Sequence, residues 1–205
     1  MAVDFKQSVT KENLMRAFAG ESQARNRYTI AAKQARQGGL YVIEQVLTFT
    51  ADQERAHAEV YYNHLKELAG ETIAVDGAYP VDISPKIAQL LRMAQHNEYQ
   101  EHEDVYRRFA ETAQQEGFLQ AAHSFQRIGE VEKVHGDRLG MFARLLEENQ
   151  LFVSNVETAW MCLNCGYVLE GKEAPTRCPA CDHEQGYFIR LELAPFTGDG
   201  KFGNL

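Results

Sequence analysis

The sequence predicts a mainly α protein: a four-helix bundle with one long crossover, followed by a small domain built around four cysteines. Three observations carry that expectation. Residues 10–147 are rich in Ala, Leu, Glu, Gln, Arg and Met and hold only two prolines, Pro80 and Pro85, which is helical composition. Glycines and one loop-like stretch divide this region into four segments of about 27 to 31 residues. All four cysteines fall in the last quarter of the 205-residue chain, as Cys162-Leu-Asn-Cys165 and Cys178-Pro-Ala-Cys181.

Thr10 is the expected N-cap of a first helix that runs to about Gln37, where Gly38-Gly39 breaks it. A second helix is expected from Leu40 to Ala69, ending at Gly70. Asp76-Gly77 and Tyr79-Pro80 mark Gly70 to Ser84 as a connection. Ser84 then reads as an N-cap with Pro85 at the first helical position, opening a third helix that continues to Glu116. Gly117 interrupts, and a fourth helix runs to Glu148. Two tight turns flanking one long connection describe the ferritin-like bundle rather than a simple up-down bundle. The expected domains are residues 1–148 for the bundle, 149–158 for a linker and 159–205 for the cysteine domain with its tail from Pro195. Strand-like pieces begin at Gly166 and Tyr187, and Trp160, Tyr167, Tyr187 and Phe188 are candidates for a small aromatic core.

Twenty-nine acidic against 21 basic residues give a formal charge of −8, which argues against nucleic acid as a partner, since phosphate binding needs a basic face. No apolar run approaches the ~20 residues that span a bilayer, and the start MAVDFKQSVT lacks a secretory signal's apolar core. The expectation is a soluble, cytoplasmic protein without membrane partners.

Helical spacing brings one face of each helix to the bundle seam. On the first helix this face reads Leu14, Ala17, Glu21, Ala24, Tyr28, Ala31 and Ala35. The second reads Leu47, Thr50, Glu54, His57, Tyr61, His64 and Leu68. The third reads Leu91, Ala94, Glu98, Glu101, Val105 and Thr112, and the fourth Phe125, Ile128, Glu132, His135, Leu139, Phe142 and Leu146. Carboxylates thus sit mid-helix on the face that should be most apolar. Buried unpaired anions cost several kcal/mol each, so a cation must lie among them. Glu54-Arg-Ala-His57 and Glu132-Lys-Val-His135 are both E-x-x-H. Two such motifs plus one Glu from each remaining helix, Glu21 and Glu98, form the di-iron or di-manganese carboxylate pattern. The spacing from Glu21 to Glu54 is 33 residues and from Glu98 to Glu132 is 34, which marks an internal repeat. Glu101 breaks the symmetry, because Ala24 stands in the corresponding place on the first helix. Five of the acidic residues are therefore candidate ligands rather than solubilising surface.

Tyr28 and Tyr106 follow Glu21 and Glu98 by seven and eight residues. Either they donate hydrogen bonds to ligand carboxylates or they pack in the core. His64, His96, His102, His123 and His183 are expected to be structural or exposed. Cys162, Cys165, Cys178 and Cys181 form two knuckles that suit a tetrahedral S4 site for zinc or a single iron in preference to disulfides.

With both motif sets in place, residues 5 to 194 resemble the rubrerythrin family, a ferritin-like di-iron bundle followed by a rubredoxin-like domain. The resemblance implies bridging carboxylates at Glu54 and Glu132, and terminal ligands at Glu21, Glu98, Glu101 and His135. It further implies exchange between Glu101 and His57 at one iron with redox state. It places one mononuclear Fe(Cys)4 site at the four cysteines, with Asp182 where relatives often have Gly. The implied activity is reduction of hydrogen peroxide to water in oxidative-stress defence. The electrons come from NAD(P)H through rubredoxin or a separate reductase, because no G-x-G-x-x-G follows a strand here and the chain should not bind the nicotinamide itself. The implied assembly is a homodimer, head-to-tail or domain-swapped, or a larger oligomer. Other readings of the same residues are a ferroxidase or iron-storage protein, a zinc-ribbon interaction module on a metal bundle, and a dimanganese centre.

Overall fold

Ser8 starts the first long helix: its Oγ accepts from the Lys11 backbone N–H at 3.0 Å, and α1 runs Val9–Gln37. Thr10, the expected cap, lies inside the first turn, where its N–H and hydroxyl donate to Glu116 at 2.8 and 2.5 Å. The structure, a computed structural model, describes residues 3–195, so most of the tail expected from Pro195 onward lies outside the described residues. Gly39, with φ +69°, turns the chain into α2 (Tyr41–His64). That helix stops earlier than Ala69 and gives way to a 3-10 turn at Lys66–Leu68 before Gly70 (φ +88°) opens the crossover.

Ser84 acts three residues ahead of the first helical residue instead of at the helix edge. Its Oγ accepts from the Lys86 N–H at 3.0 Å, and α3 begins at Ile87 and ends at Gln100. The third helix is not continuous: Glu101–Val105 form a π-helical turn, and α4 follows over Tyr106–Glu116. Gly117, in the left-handed region at φ +91°, closes it and leads to α5 (Leu119–Glu147). The hairpin of α1 and α2 faces the hairpin of α3–α4 and α5, with the crossover spanning between them.

The π turn moves the third seam. Up to Glu98 the buried residues are the expected Leu91, Ala94 and Glu98; beyond it they are Tyr106, Ala110 and Ala113 in place of Val105 and Thr112. A π turn accommodates one extra residue, so every later inward position shifts by one.

The C-terminal domain is a three-stranded antiparallel sheet in the order β2-β1-β3, with β1 at Val153–Cys162, β2 at Val168–Glu173 and β3 at Phe188–Arg190. Strand β1 occupies most of the stretch expected as a linker. Its pairing with β2 shifts register between Val153 and Thr158, which breaks the alternation by which a strand is recognised. Trp160 and Phe188 are buried with Cys162, Cys178 and Ala174. Tyr167 is instead exposed, and Tyr187 reaches out to stack on Tyr41 of the bundle, centroids 4.0 Å apart.

The bundle core is in two pieces. One holds Leu14, Ala17, Tyr61, Tyr106, Phe125 and their neighbours. The other holds Tyr28, Ala35, Val42, Leu47, Leu91, Leu139 and Phe142, and extends to Leu151 and Ile189 of the C-terminal domain. No helix among the described residues is long and apolar enough to cross a membrane.

The domains approach closely at Gly186, where an added Cβ would stand 1.8 Å from the Gly39 carbonyl oxygen. Backbone on both sides leaves little room to yield, and overpacking of this kind typically costs about 1–3 kcal/mol. Gly186→Ala is therefore expected to loosen the small domain from the α1–α2 turn, read as faster limited proteolysis near residues 148–152 with the four-cysteine metal content retained.

Candidate metal centres

Between the two apolar clusters lies a polar layer. Glu21, Glu54, Glu98, Glu132 and His135 are buried, while His57 and Glu101 are partly exposed. His57 Nδ1 lies 3.0 Å from Glu132 Oε1 and 3.5 Å from Glu54 Oε2. His135 Nδ1 lies 2.8 Å from Glu54 Oε1 and 2.9 Å from Glu132 Oε2. Each of these two glutamates turns one oxygen toward each histidine, the disposition a bridging carboxylate needs. Glu21 approaches His57 at 3.8 Å and Glu98 approaches His135 at 3.6 Å, so the outer carboxylates flank opposite ends. Glu101 joins Glu21 and Glu132 in a separate cluster of potential ligand atoms.

The helices supply this geometry by repetition. Glu98 follows Glu21 by 77 positions, whereas Tyr106, Glu132 and His135 follow Tyr28, Glu54 and His57 by 78. The added residue enters at the π turn Glu101–Val105, and it is there that Glu101 gains its inward position. The tyrosines cross the bundle: Tyr28 donates to Glu98 Oε1 and Tyr106 donates to Glu21 Oε1. Each thus holds a buried glutamate of the other helix pair.

Electrostatics show what the layer lacks. Burial, with Glu132 and Glu54 nearby, raises the Glu21 carboxyl well above its ordinary range, and burial beside Glu54 does the same to Glu98. Burial next to Glu132 and Glu54 pushes Glu101 up to about 8. Glu54 goes the other way: although burial opposes it, the adjacent imidazoles of His135 and His57 hold it down at about 2. Both imidazoles are raised against the pull of burial, His57 by Glu132, Glu21 and Glu54, and His135 to about 11 by Glu132, Glu54 and Glu98. Even so, both oxygens of Glu54 and of Glu132, one each of Glu21 and Glu98, and the Nδ1 atoms of both histidines are buried without a hydrogen-bond partner. Orphaned acceptors at this density are rare in proteins. Hard oxygen and imidazole donors facing one another across two helix pairs fit two first-row metal ions.

The remaining histidines stand apart. His64 Nε2 meets Ser124 Oγ at 2.9 Å, His102 Nδ1 meets the Gly129 carbonyl at 2.7 Å, and His183 Nδ1 lies 3.1 Å from the Cys181 carbonyl. His96 and His123 are exposed. One neighbour of the centre escaped the sequence reading. Arg138, three residues after His135, donates to Thr50 Oγ1 at 3.0 Å and Gln53 Oε1 at 2.8 Å. Burial lowers its guanidinium while Glu54 and Glu98 counteract. Its helical offset from His135 was the available signal.

At the other site Cys162 and Cys181 sulfurs are 3.8 Å apart, and Cys165 and Cys178 sulfurs 3.7 Å. Disulfides bond at about 2.05 Å, whereas sulfurs about 2.3 Å from a shared tetrahedral metal are separated by about 3.8 Å. The knuckles are built alike: Gly166 N–H returns to the Cys162 carbonyl at 2.8 Å and Asp182 N–H to the Cys178 carbonyl at 2.9 Å. Both residues are left-handed, Gly166 at φ +78° and Asp182 at +58°. Arg177 steadies the Asp knuckle by donating to the Asp182 carbonyl and carboxylate at 2.7 and 3.1 Å.

Protons and metals compete for the bundle site. In the metal-free protein His57 and His135 lie above the ordinary 6.5, and Glu21, Glu98 and Glu101 above 4.5. Their contribution to stability is complete below those values and is lost as pH rises, through about 8 for Glu101 and about 11 for His135. Glu54 contributes above 4.5 and loses its share only as pH falls through about 2. The thermal midpoint of chelated protein is therefore expected to fall from pH 5 to pH 9, and metal loading to flatten that slope and release protons. Melting curves across this range, with calorimetry in buffers of different ionisation enthalpy, check both; a flat profile without metal would contradict the charge balance.

Residues 12–143 match the family model for rubrerythrin, and residues 160–189 match that for the rubrerythrin rubredoxin-like domain. The rubrerythrin of Clostridium perfringens is 40% identical over 184 residues, covering 89% of this chain and 94% of that protein. That of Porphyromonas gingivalis is 41% identical over 188 residues, 92% of each chain. The structure of mixed-valence nigerythrin superposes with a TM-score of 0.60 at 30% identity, over 93% of this chain and 91% of that one. A bacterioferritin from Mycobacterium tuberculosis, 17% identical, shares the fold over 73% of this chain and 91% of its own, with a TM-score of 0.62. The chain carries the Glu/His set of a di-iron centre and the four cysteines of a rubredoxin-like Fe(Cys)4 site, the equipment of an iron-dependent oxidoreductase. It belongs to the rubrerythrin family.

Proposed function

We propose that the chain is a non-haem di-iron peroxidase that reduces hydrogen peroxide to water. Its electrons pass through the Fe(Cys)4 site from an NAD(P)H-linked donor, rubredoxin or a reductase. In this reading Glu54 and Glu132 would bridge the metals when bound, and Glu21, Glu98, Glu101 and His135 would be terminal ligands. His57 and Glu101 alternate at one metal, which is supported by their approach to the same pair of carboxylates, Glu21 and Glu132. The bound ferrous pair supplies two electrons, matching H2O2 + 2 e− + 2 H+ → 2 H2O.

The observation that carries the proposal is Glu101, an inward carboxylate that the π turn adds on one side only and that lines a solvent-open cavity. An asymmetric centre reached from one side suits a small reactant that must be protonated as its O–O bond breaks. Glu101 can hold a proton near neutral pH. Tyr28 and Tyr106, their hydroxyls pushed up by burial and by Glu98 and Glu21, stay protonated and keep those carboxylates oriented. Around the second site, exposed Cys165 and Tyr167 form an edge where a donor can deliver electrons.

Residues 1–148 then serve as the catalytic unit and 159–205 as the relay. The small domain meets its own bundle at Tyr41, and Tyr41 to Glu54 is about 20 Å of helix at 1.5 Å per residue. That separation supports a head-to-tail homodimer in which one chain's relay serves its partner's centre.

Anaerobic ferrous protein mixed with peroxide or dioxygen tests the reading: peroxide is expected to oxidise the centre faster, and a preference for dioxygen would instead indicate a ferroxidase. Metal analysis and the red ferric-thiolate spectrum separate iron from manganese or zinc. Glu101→Ala is expected to lower peroxide turnover by about 10²-fold or more while leaving the thiolate spectrum intact. Cys165→Ser should abolish NAD(P)H-linked turnover yet preserve a single oxidation of the prereduced bundle by peroxide.

A further inference from the structure

The cavity that ends at Glu101 is much larger than hydrogen peroxide requires. It measures about 560 Å³, whereas a water molecule's share of liquid is about 30 Å³ and pockets for small organic ligands run about 300–1,000 Å³. It extends along α1 from Gln23 to Arg16, seven residues or about 10 Å of helix. Its lining changes character along that length. Near the centre stand Glu101 and Gln23, whose Nε2 is buried without a hydrogen-bond partner. Further out the wall is Ala17, Val105, Phe109 and the ring of Tyr79.

The outer wall is held in place by the crossover. Tyr79 donates to the Arg16 carbonyl at 3.1 Å, and the Arg16 guanidinium donates to Asp76 at 2.7 Å. Gly77 permits this fold, since a Cβ there would stand 2.9 Å from the Tyr79 ring. Opposite, Gly20 leaves the α1 side open: a Cβ at that position meets nothing nearer than Tyr79 at 3.7 Å. The charges at the mouth are already matched, Arg16 with Asp76 and Glu12, and Arg108 with Asp104 at 2.9 Å. An anionic ligand therefore gains little there, and a neutral one with an apolar body is favoured.

We propose that this cavity admits an uncharged organic hydroperoxide, its O–O group between Gln23 and Glu101 and its carbon body against Ala17, Phe109 and Tyr79. The proposal rests on the peroxidase reading above and widens its substrate class. The reaction is ROOH + 2 e− + 2 H+ → ROH + H2O: the O–O bond breaks, the ferrous pair supplies both electrons, and the alcohol leaves through the same cavity. Gln23 Nε2 donates to a peroxide oxygen, and Gly20 sets the width of the passage.

Two measurements on the holoprotein test this. The first compares kcat/KM for cumene hydroperoxide and for hydrogen peroxide in the wild type and in Gly20→Leu. The expected result is turnover of both by the wild type, with the organic-to-hydrogen-peroxide ratio at least ten-fold lower in the variant. The second is calorimetric titration of the oxidised holoprotein with the product alcohol, 2-phenylpropan-2-ol; saturable binding of one molecule per chain is expected, weakened at least ten-fold by Gly20→Leu. Consumption of hydrogen peroxide alone would overturn the organic substrate class and leave the peroxidase reading standing. Consumption of neither peroxide would overturn both. An unchanged substrate ratio in the folded variant, or no saturable alcohol binding to the wild type, would show that the organic substrate does not use this cavity and would also overturn the proposal.

Discussion

Five carboxylates and two imidazoles share one layer in the middle of a helix bundle, and much else in the molecule accommodates that layer. Most bundles fuse their seams into one apolar core. Here the seam is cut in two, because Glu21, Glu54, Glu98, Glu132 and His135 are buried at a single level. Removing anions from water costs several kcal/mol each unless they are paired and hydrogen-bonded. The two apolar clusters, one on either side, hold the helices at a spacing that relaxation of the charges would otherwise widen. Tyr28 and Tyr106 satisfy one oxygen on Glu98 and one on Glu21 from across the bundle. Both oxygens of Glu54 and of Glu132 and the Nδ1 atoms of both histidines remain unsatisfied in this layer, where two metal ions would be held.

Near-symmetry builds the centre and a single departure from it makes the centre unequal. Two helix hairpins contribute equivalent Glu, Tyr and E-x-x-H positions, related by offsets of 77 before the π turn and 78 after it. A π turn is a local strain in a helix and persists where it serves a site. Here it swings Glu101 into the layer and moves Tyr106 one position along, so that its hydroxyl meets Glu21. Leu139 occupies the place on α5 that Tyr61 occupies on α2, so the aromatic wall of Tyr61, Tyr106 and Phe125 also lies on one side of the centre only.

The second metal site follows a different logic. Its four sulfurs come from two knuckles close in sequence, so a small sheet suffices to hold it, and Trp160 and Phe188 shield its inner side. Cys165 remains exposed. The bundle centre is deep and long-range in sequence, with a cavity at Glu101; the thiolate site is shallow, local and open at an edge. In the proposed function that contrast keeps the chemical step apart from the delivery of electrons.

Much of this was legible in the chain itself. Residue type and helical spacing singled out seven bundle ligand candidates and four cysteines, because five glutamates and two histidines placed together mid-seam call for a cation where a single one would not, and because C-x-x-C pairs are local. Helix number and the long crossover were legible for the same reason: composition and glycine breaks are properties of short segments. Tertiary structure decided what depends on contacts between distant residues. The one-residue excess in the second half was present as spacings of 34 against 33 and eight against seven, yet it became a π turn only where Glu101 had to face Glu21 and Glu132. Which carboxylate each tyrosine holds, how β1 bulges against β2, and how Tyr187 stacks on Tyr41 were decided at the same level. The cavity between α1 and the crossover belongs there too, since its walls come from segments some 60 residues apart, joined by Arg16 to Asp76 and by Tyr79 to the Arg16 carbonyl. Local periodicity specifies which side chains turn inward; only the packed fold specifies what they meet.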